Sequence, residues 1–220
     1  MPAPAYMPPP EGPDILHVDD FLILIDKPAG LLSVPGRGPG KADCAVSRVQ
    51  ANYPEALTVH RLDMATSGLL LLARTKEMQR ALSGLFERGE VSKTYIADVW
   101  GIPAESGGTI DLPLITDWPN RPRQKVDHET GKPSRTVYDV QETRDDHVRL
   151  RLTPLTGRSH QLRVHLAETG HPILGDELYA HPEAYAAASR LHLHAGRLRF
   201  THPGTGQACE FVSPCPFDLP

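Results

Sequence analysis

The apolar and polar positions divide the chain into short elements. Residues 21–26 (FLILID) form an apolar run closed by the turn signal Lys27-Pro28-Ala29-Gly30, and residues 67–74 (SGLLLLAR) form a second run. Their length and bounding turns predict buried β-strands. Residues 42–52 predict an amphipathic helix. Residues 75–88 carry Met78, Leu82, Leu85 and Phe86 at helical spacing, with Thr75 placed to cap the start and Gly89 just past the end. Residues 92–101 alternate, with Tyr95, Ala97 and Val99 on one face. From Gly107 the pattern turns strand-like and rich in turns. Residues 133–141 and 147–153 predict a hairpin joined through 143–146. Residues 158–169 predict a helix stopped by Gly170, residues 180–189 a short Ala-rich helix, and residues 191–200 a strand. Strands outnumber helices and often follow one another. The expected class is therefore α+β, with a largely antiparallel sheet.

Composition changes this picture little. The chain has 220 residues, enough for one generous domain or two small lobes. No run of about 18 apolar residues predicts a membrane span, and the start MPAPAYMPPPEGPD has no secretory pattern. Residues 1–14 read as an extended, poorly ordered, proline-rich lead-in, and residues 214–220 as a short tail. Cys44, Cys209 and Cys215 are scattered without a C-x-x-C pair, so neither a disulfide framework nor structural zinc is expected, and a reducing cytoplasm fits. The net charge of −4 argues against a nucleic-acid partner. Its distribution softens that objection: residues 117–163 carry +3 and the remainder −7. A cleft can still gather the positive groups.

Three clusters could carry chemistry. In His60-Arg61-Leu62-Asp63-Met64-Ala65-Thr66-Ser67-Gly68, an aspartate flanked by Arg and His lies in a polar turn before a buried strand. Nearby positive charge keeps such a carboxylate ionised, which suits a nucleophile or base. The plain alternative is an Asp that caps its own turn. In Thr156-Gly157-Arg158-Ser159-His160-Gln161-Leu162-Arg163, two arginines fall in the first turns of the expected helix, about 140° apart around its axis. They would serve different partners, at a helix start able to hold an anion. The alternative is an ordinary capped helix. In Lys93-Thr94-Tyr95, the lysine and tyrosine share a strand face, where Tyr can stack on a base or simply fill a core. Metal and nucleotide patterns fail. His160 and His165 lack the spacing of H-E-x-x-H, and no glycine-rich phosphate loop or nucleophile elbow is present. No cofactor and no metal are expected.

Together and in this order the clusters resemble the RluA family of pseudouridine synthases. The family's H-R-L-D-x-x-T-S-G matches residues 60–68 without a gap. Its lysine/tyrosine strand matches Lys93-Thr94-Tyr95-Ile96-Ala97, and its G-R-x-H-Q-[IL]-R matches Gly157 to Arg163. Asp26-Lys27-Pro28-Ala29-Gly30, Ser33-Val34-Pro35-Gly36, Gly170-His171-Pro172-Ile173-Leu174-Gly175-Asp176 and Leu193-His194-Ala195 are similar to further family segments. The resemblance spans residues 15–213, expected as one catalytic domain without an S4-like RNA-binding domain. The stretch Asp117-Trp118-Pro119-Asn120-Arg121-Pro122-Arg123-Gln124-Lys125 resembles a compact branch with dual specificity.

The resemblance implies a fold with a mixed, largely antiparallel central sheet, flanked by helices and loops around an RNA-binding cleft. It implies a cofactor-free isomerase acting on a 23S rRNA stem-loop and a tRNA anticodon stem-loop, cytoplasmic and monomeric. Asp63 would be the essential carboxylate, adding to C1′ or taking a proton from C2′. Arg163 would pair with it, and Tyr95 would stack on the target base. Arg61 would fill the space left by a flipped nucleotide. The expected RNA contacts are Arg61, His60, Lys93, Arg121, Arg123, Lys125, Arg158, His160 and Gln161. Three rivals are an enzyme with a single rRNA or tRNA target, a nucleoside or glycoside hydrolase, and a non-catalytic RNA-binding module. The hydrolase typically needs a second carboxylate in a comparable motif.

Overall fold

A computed structural model describes residues 6–220. The chain divides into two compact units. One holds the described residues through Ser92 together with Arg197–Ser213; the other holds Lys93–Gly196 and Pro214–Pro220. The class is α+β, as the pattern predicts.

In the first unit β1 (Asp14–Val18), β2 (Leu22–Lys27), β3 (Leu57–Thr58) and β4 (Ser67–Ala73) form antiparallel pairs β1–β2, β2–β4 and β3–β4. Every residue of β4 is buried, which explains why its sequence does not alternate. Helix α1 (Ala45–Gln50) is shorter than expected, because Cys44 caps it: Sγ accepts from the Ser47 amide at 3.3 Å. Helix α2 (Lys76–Glu87) begins at the predicted cap, where Thr75 Oγ1 accepts from Met78 N–H at 3.1 Å. Its Met78 and Leu82 join Leu22, Leu24, Leu69 and Leu71 in the core. Burying each such side chain contributes about 1.5–3 kcal/mol.

The lead-in departs from expectation. Residues 1–5 lie outside the described residues. From Tyr6 onward the segment is pinned: the Tyr6 hydroxyl accepts from Leu32 N–H and donates to the Asp43 carbonyl. Arg48 donates to the carbonyls of Pro9 and Glu11.

The second unit contains most of β5 (Ser92–Trp100), then β6 (Gly107–Asp111), β7 (Leu114–Thr116), β8 (Gln124–Val126), β9 (Arg135–Arg144) and β10 (His147–Pro154). The pairs β5–β10, β10–β9 and β9–β6 are antiparallel, and β7–β8 is a separate hairpin. Helices α3 (Gln161–Glu168) and α4 (Pro182–Ala186) follow. Strand β11 (Leu193–Thr201) passes from this unit into the first, where its end pairs with β12 (Ala208–Val212). Residues 214–220 pack into the second unit. The Phe217 ring stacks on His192, 4.2 Å between centroids, and Arg149 and Arg144 donate to the carbonyls of Phe217 and Leu219.

Candidate functional site

Asp63 sits in a loop between β3 and β4, in the first unit. Its neighbours hold the loop from both sides. Leu62 is buried, and its backbone is clasped by Ser33: the Leu62 amide donates to Ser33 Oγ at 3.0 Å, and Ser33 Oγ donates to the Leu62 carbonyl at 2.7 Å. After Asp63, the Met64 carbonyl accepts from Gly30 N–H at 2.8 Å and from the buried Lys27 ammonium at 3.1 Å. With Leu62 turned inward, Arg61 is exposed and Asp63 half-buried. The turn closes through Thr66 N–H to the Asp63 carbonyl at 3.1 Å.

His60 has a different place from the one expected. Its Nε2 accepts from the Leu71 amide of β4 at 3.0 Å, and its ring stacks on Phe86 of α2 at 4.2 Å. A backbone N–H can only donate, so Nε2 carries no proton in this bond. These contacts make His60 an anchor of the loop.

The second unit carries the other clusters. Lys93 and Tyr95 are half-buried on β5. The Lys93 ammonium points to Gly157, where a side chain would begin 3.8 Å away. Burial pushes the lysine's pKa down.

Helix α3 starts at Gln161, three residues later than predicted, because His160 adopts a left-handed conformation at φ 54°. Arg158 therefore lies before the helix, exposed, and the expected angle between Arg158 and Arg163 around one helix does not apply. Gln161 is buried. Its amide nitrogen donates to the Arg135 carbonyl (2.9 Å) and Thr136 Oγ1 (3.1 Å). Its amide oxygen accepts from Thr156 Oγ1 (2.7 Å) and Arg158 N–H (3.0 Å). Four protein partners make it a clamp on the turn, where the sequence reading has it among the RNA contacts.

Arg163 is buried and bound through two nitrogens to Asp176, at 2.8 and 2.6 Å. Asp176 also accepts from the amides of Leu178 and Tyr179. Gly175 allows this approach. Its φ is +71°, and a Cβ there would lie 1.9 Å from the Arg190 carbonyl oxygen. The Arg163 guanidinium lies 5.2 Å from the centre of the Tyr179 ring. The Tyr179 hydroxyl is within 2.7 Å of His160 Nδ1 and accepts from Gln124 N–H of β8 at 2.8 Å. Tyr179 thus ties the start of α3 to the β7–β8 hairpin. On that hairpin Arg121, Arg123 and Lys125 are exposed.

The sequence reading misses Lys27, Ser33, Asp176 and Tyr179 as site-building residues. Three of them stand in quoted segments, but nothing in a linear motif reveals that a buried ammonium or carboxylate serves a distant loop. Among the described residues no group of three or more His, Cys, Asp or Glu could hold a metal, and no helix is long and apolar enough to cross a membrane.

Comparison with known proteins bears on the same residues. Residues 21–168 match the family described as RNA pseudouridylate synthase. The "Dual-specificity RNA pseudouridine synthase RluA" of Escherichia coli (strain K12) is 53% identical over 212 residues, which cover 95% of this chain and 97% of that one. The protein of the same name from Yersinia pestis is 56% identical over 198 residues, covering 90% and 96%. Among solved structures, "Human RNA Pseudouridylate Synthase Domain Containing 1" superposes with a TM-score of 0.79 at 28% identity, covering 96% of this chain and 87% of the human one.

Proposed function

The chain belongs to the RNA pseudouridylate synthase family, and from that premise we propose that it is a dual-specificity enzyme. It converts uridine to pseudouridine in a 23S rRNA stem-loop and in a tRNA anticodon stem-loop. The observation that carries this reading is the identity of about half of all residues, over nearly the whole of both chains, with relatives named for dual specificity.

The reaction breaks the N1–C1′ bond, turns the uracil and rejoins it through C5. It needs no redox step and no group donor. Asp63 is the essential carboxylate, either adding to C1′ or removing the C2′ proton. Its loop supports the role: Leu62 and Met64 are fixed on either side, so the carboxylate is presented from rigid backbone. Tyr95 stacks on the target base. Arg163 pairs with Asp63 and orients it, and Asp176 and Tyr179 position that arginine. A carboxylate cannot reach C1′ of a stacked nucleotide, so the uridine must flip out. The exposed Arg61 is suited to fill the space it leaves. Lys93, Arg121, Arg123, Lys125 and Arg158 contact phosphates, and His160 orients the turn beside them. Residues 15–213 act as the catalytic domain, in a monomer working in the cytoplasm.

The test is tritium release from C5-labelled uridine in an anticodon stem-loop transcript and a 23S rRNA fragment. Release from both, abolished by Asp63→Asn, is expected. Release from one RNA only would remove dual specificity and keep the enzyme. Full activity in Asp63→Asn would remove the role given to Asp63.

A further inference from the structure

Trp118 is 65% exposed. It opens a short 3-10 turn (Trp118–Asn120) between β7 and β8. A large indole in water is a poor choice unless its face is used. Several hydrogen bonds hold the loop that displays it. Asp117 N–H donates to the Arg123 carbonyl, Asn120 N–H to the Asp117 carbonyl and Arg123 N–H to the Asn120 carbonyl, each at 3.0 Å. The Asn120 side chain donates to Asp117 Oδ2 at 2.9 Å. The base of the hairpin is held at Tyr179, through Gln124 N–H at 2.8 Å and the Arg123 guanidinium 5.3 Å from the ring centre. The exposure of Trp118 therefore belongs to an ordered turn.

The Arg121 guanidinium lies over the Trp118 ring, 4.6 Å from its centre. Arg123 and Lys125 are exposed on the same hairpin, and its one acid, Asp117, is engaged by Asn120. An aromatic face beside several cations suits a ligand that is flat and carries negative charge next to the flat part. A nucleotide of a single-stranded loop has that chemistry: base on indole, phosphate on guanidinium.

We propose that Trp118 and Arg121 form a stacking platform for an unpaired nucleobase of the RNA substrate, other than the uridine that is isomerised. The proposal rests on the RNA-modifying function above. Stacking of this kind fixes where the RNA loop lies without touching the reacting atoms, so Trp118 is a substrate-positioning residue.

The experiment uses the full chain with Trp118→Ala, Trp118→Phe and Arg121→Ala, on the anticodon stem-loop transcript and the 23S rRNA fragment. Trp118→Ala is expected to raise KM for at least one RNA by about 5- to 150-fold, the range for one base–aromatic stack. The kcat and melting temperature should be unchanged, and Trp118→Phe should recover most of the loss. Arg121→Ala should also flatten the salt dependence of binding. RNA should quench the emission of the wild-type protein and not that of Trp118→Phe, which retains Trp100. Unchanged KM for both RNAs in Trp118→Ala overturns the proposal. So does a fall in kcat alone. A self-association seen in sedimentation and lost in Trp118→Ala, with KM unaltered, would assign the indole to contact with a second copy instead. If the wild type releases no tritium from either RNA, the function above fails, and the platform is judged by binding and quenching with the same transcripts.

Discussion

The ammonium of Lys27 donates to the carbonyl oxygen of Met64 at 3.1 Å, one residue beyond Asp63. The same nitrogen donates to the carbonyls of Leu31 at 2.7 Å and Pro28 at 2.9 Å, and the side chain is fully buried. A buried charge survives where its donors are met by acceptors. Here those acceptors join two loops, one of which carries Asp63. Lys27→Met keeps the apolar stem and removes the donor. It should lower unfolding free energy by about 1–3 kcal/mol, the cost of leaving buried carbonyls unmatched. It should also reduce kcat more than it weakens RNA binding. Urea unfolding and tritium-release kinetics on one preparation check both.

The Arg163–Asp176 pair yields a second expectation. Removing Asp176 takes from a buried arginine its two-nitrogen partner, and breaking a buried pair costs about 3–5 kcal/mol. Asp176→Ala should therefore destabilise strongly and lose activity. Tyr179→Phe separates the structural from the functional part. It keeps the ring near Arg163 and Arg123 and deletes the hydroxyl shared by His160 and Gln124. About 1 kcal/mol of stability should go, with a several-fold fall in kcat/KM. A Tyr179→Phe protein as active as wild type would detach the hairpin from the positioning of α3.

His165 sets a limit on acid stability. It is buried, with Nε2 at 3.0 Å from the Leu112 carbonyl and Nδ1 at 3.0 Å from Thr136 Oγ1. The carbonyl must accept, so Nε2 carries the proton. Thr136 Oγ1 accepts from Gln161 and can donate to Nδ1. Burial lowers the histidine's pKa below its ordinary 6.5. In the window below 6.5 the unfolded chain binds a proton that the folded chain refuses, so stability falls there as the pH is lowered. The fall ends at the lowered folded value. Unfolding free energy should thus rise with pH up to about 6.5 and then level as far as this residue is concerned. His165→Gln should flatten that rise in a series of urea titrations.

Lys93 is also a base, cationic when protonated, and burial acts on it in the same direction. Burial lowers its pKa from 10.5. Between the lowered value and 10.5 the folded chain holds fewer protons than the unfolded chain, so stability increases with pH. Below that window the burial penalty is complete. Lys93→Met should raise the urea midpoint at neutral pH, and the gain should shrink as pH approaches 10.5. The same variant should bind RNA more weakly and with a shallower salt dependence. Stabilisation with unimpaired RNA binding would leave Lys93 without its assigned contact.

Much of the protein was legible from its linear pattern. The unbroken apolar run of β4 and the Thr75 cap of α2 depend on neighbours in sequence, so periodicity and capping chemistry predict them. The class followed from consecutive strands, and the family from the joint order of short motifs around Asp63, Tyr95 and Arg163. Tertiary structure decided what those motifs touch. His160 takes a left-handed conformation and delays α3, and nothing local in Ser159-His160-Gln161 announces it. His60 and Gln161 look like polar residues awaiting a ligand, yet partners 11 and 26 residues away bind His60, and the Arg135 carbonyl, 26 residues away, binds Gln161. Lys27 opens a turn signal in the sequence, and the structure shows it fully buried. The physical reason is common to all three. Helix and strand formation depend on propensity and spacing over a few residues, whereas the place of a polar side chain depends on which distant backbone groups need a hydrogen bond once the core has closed.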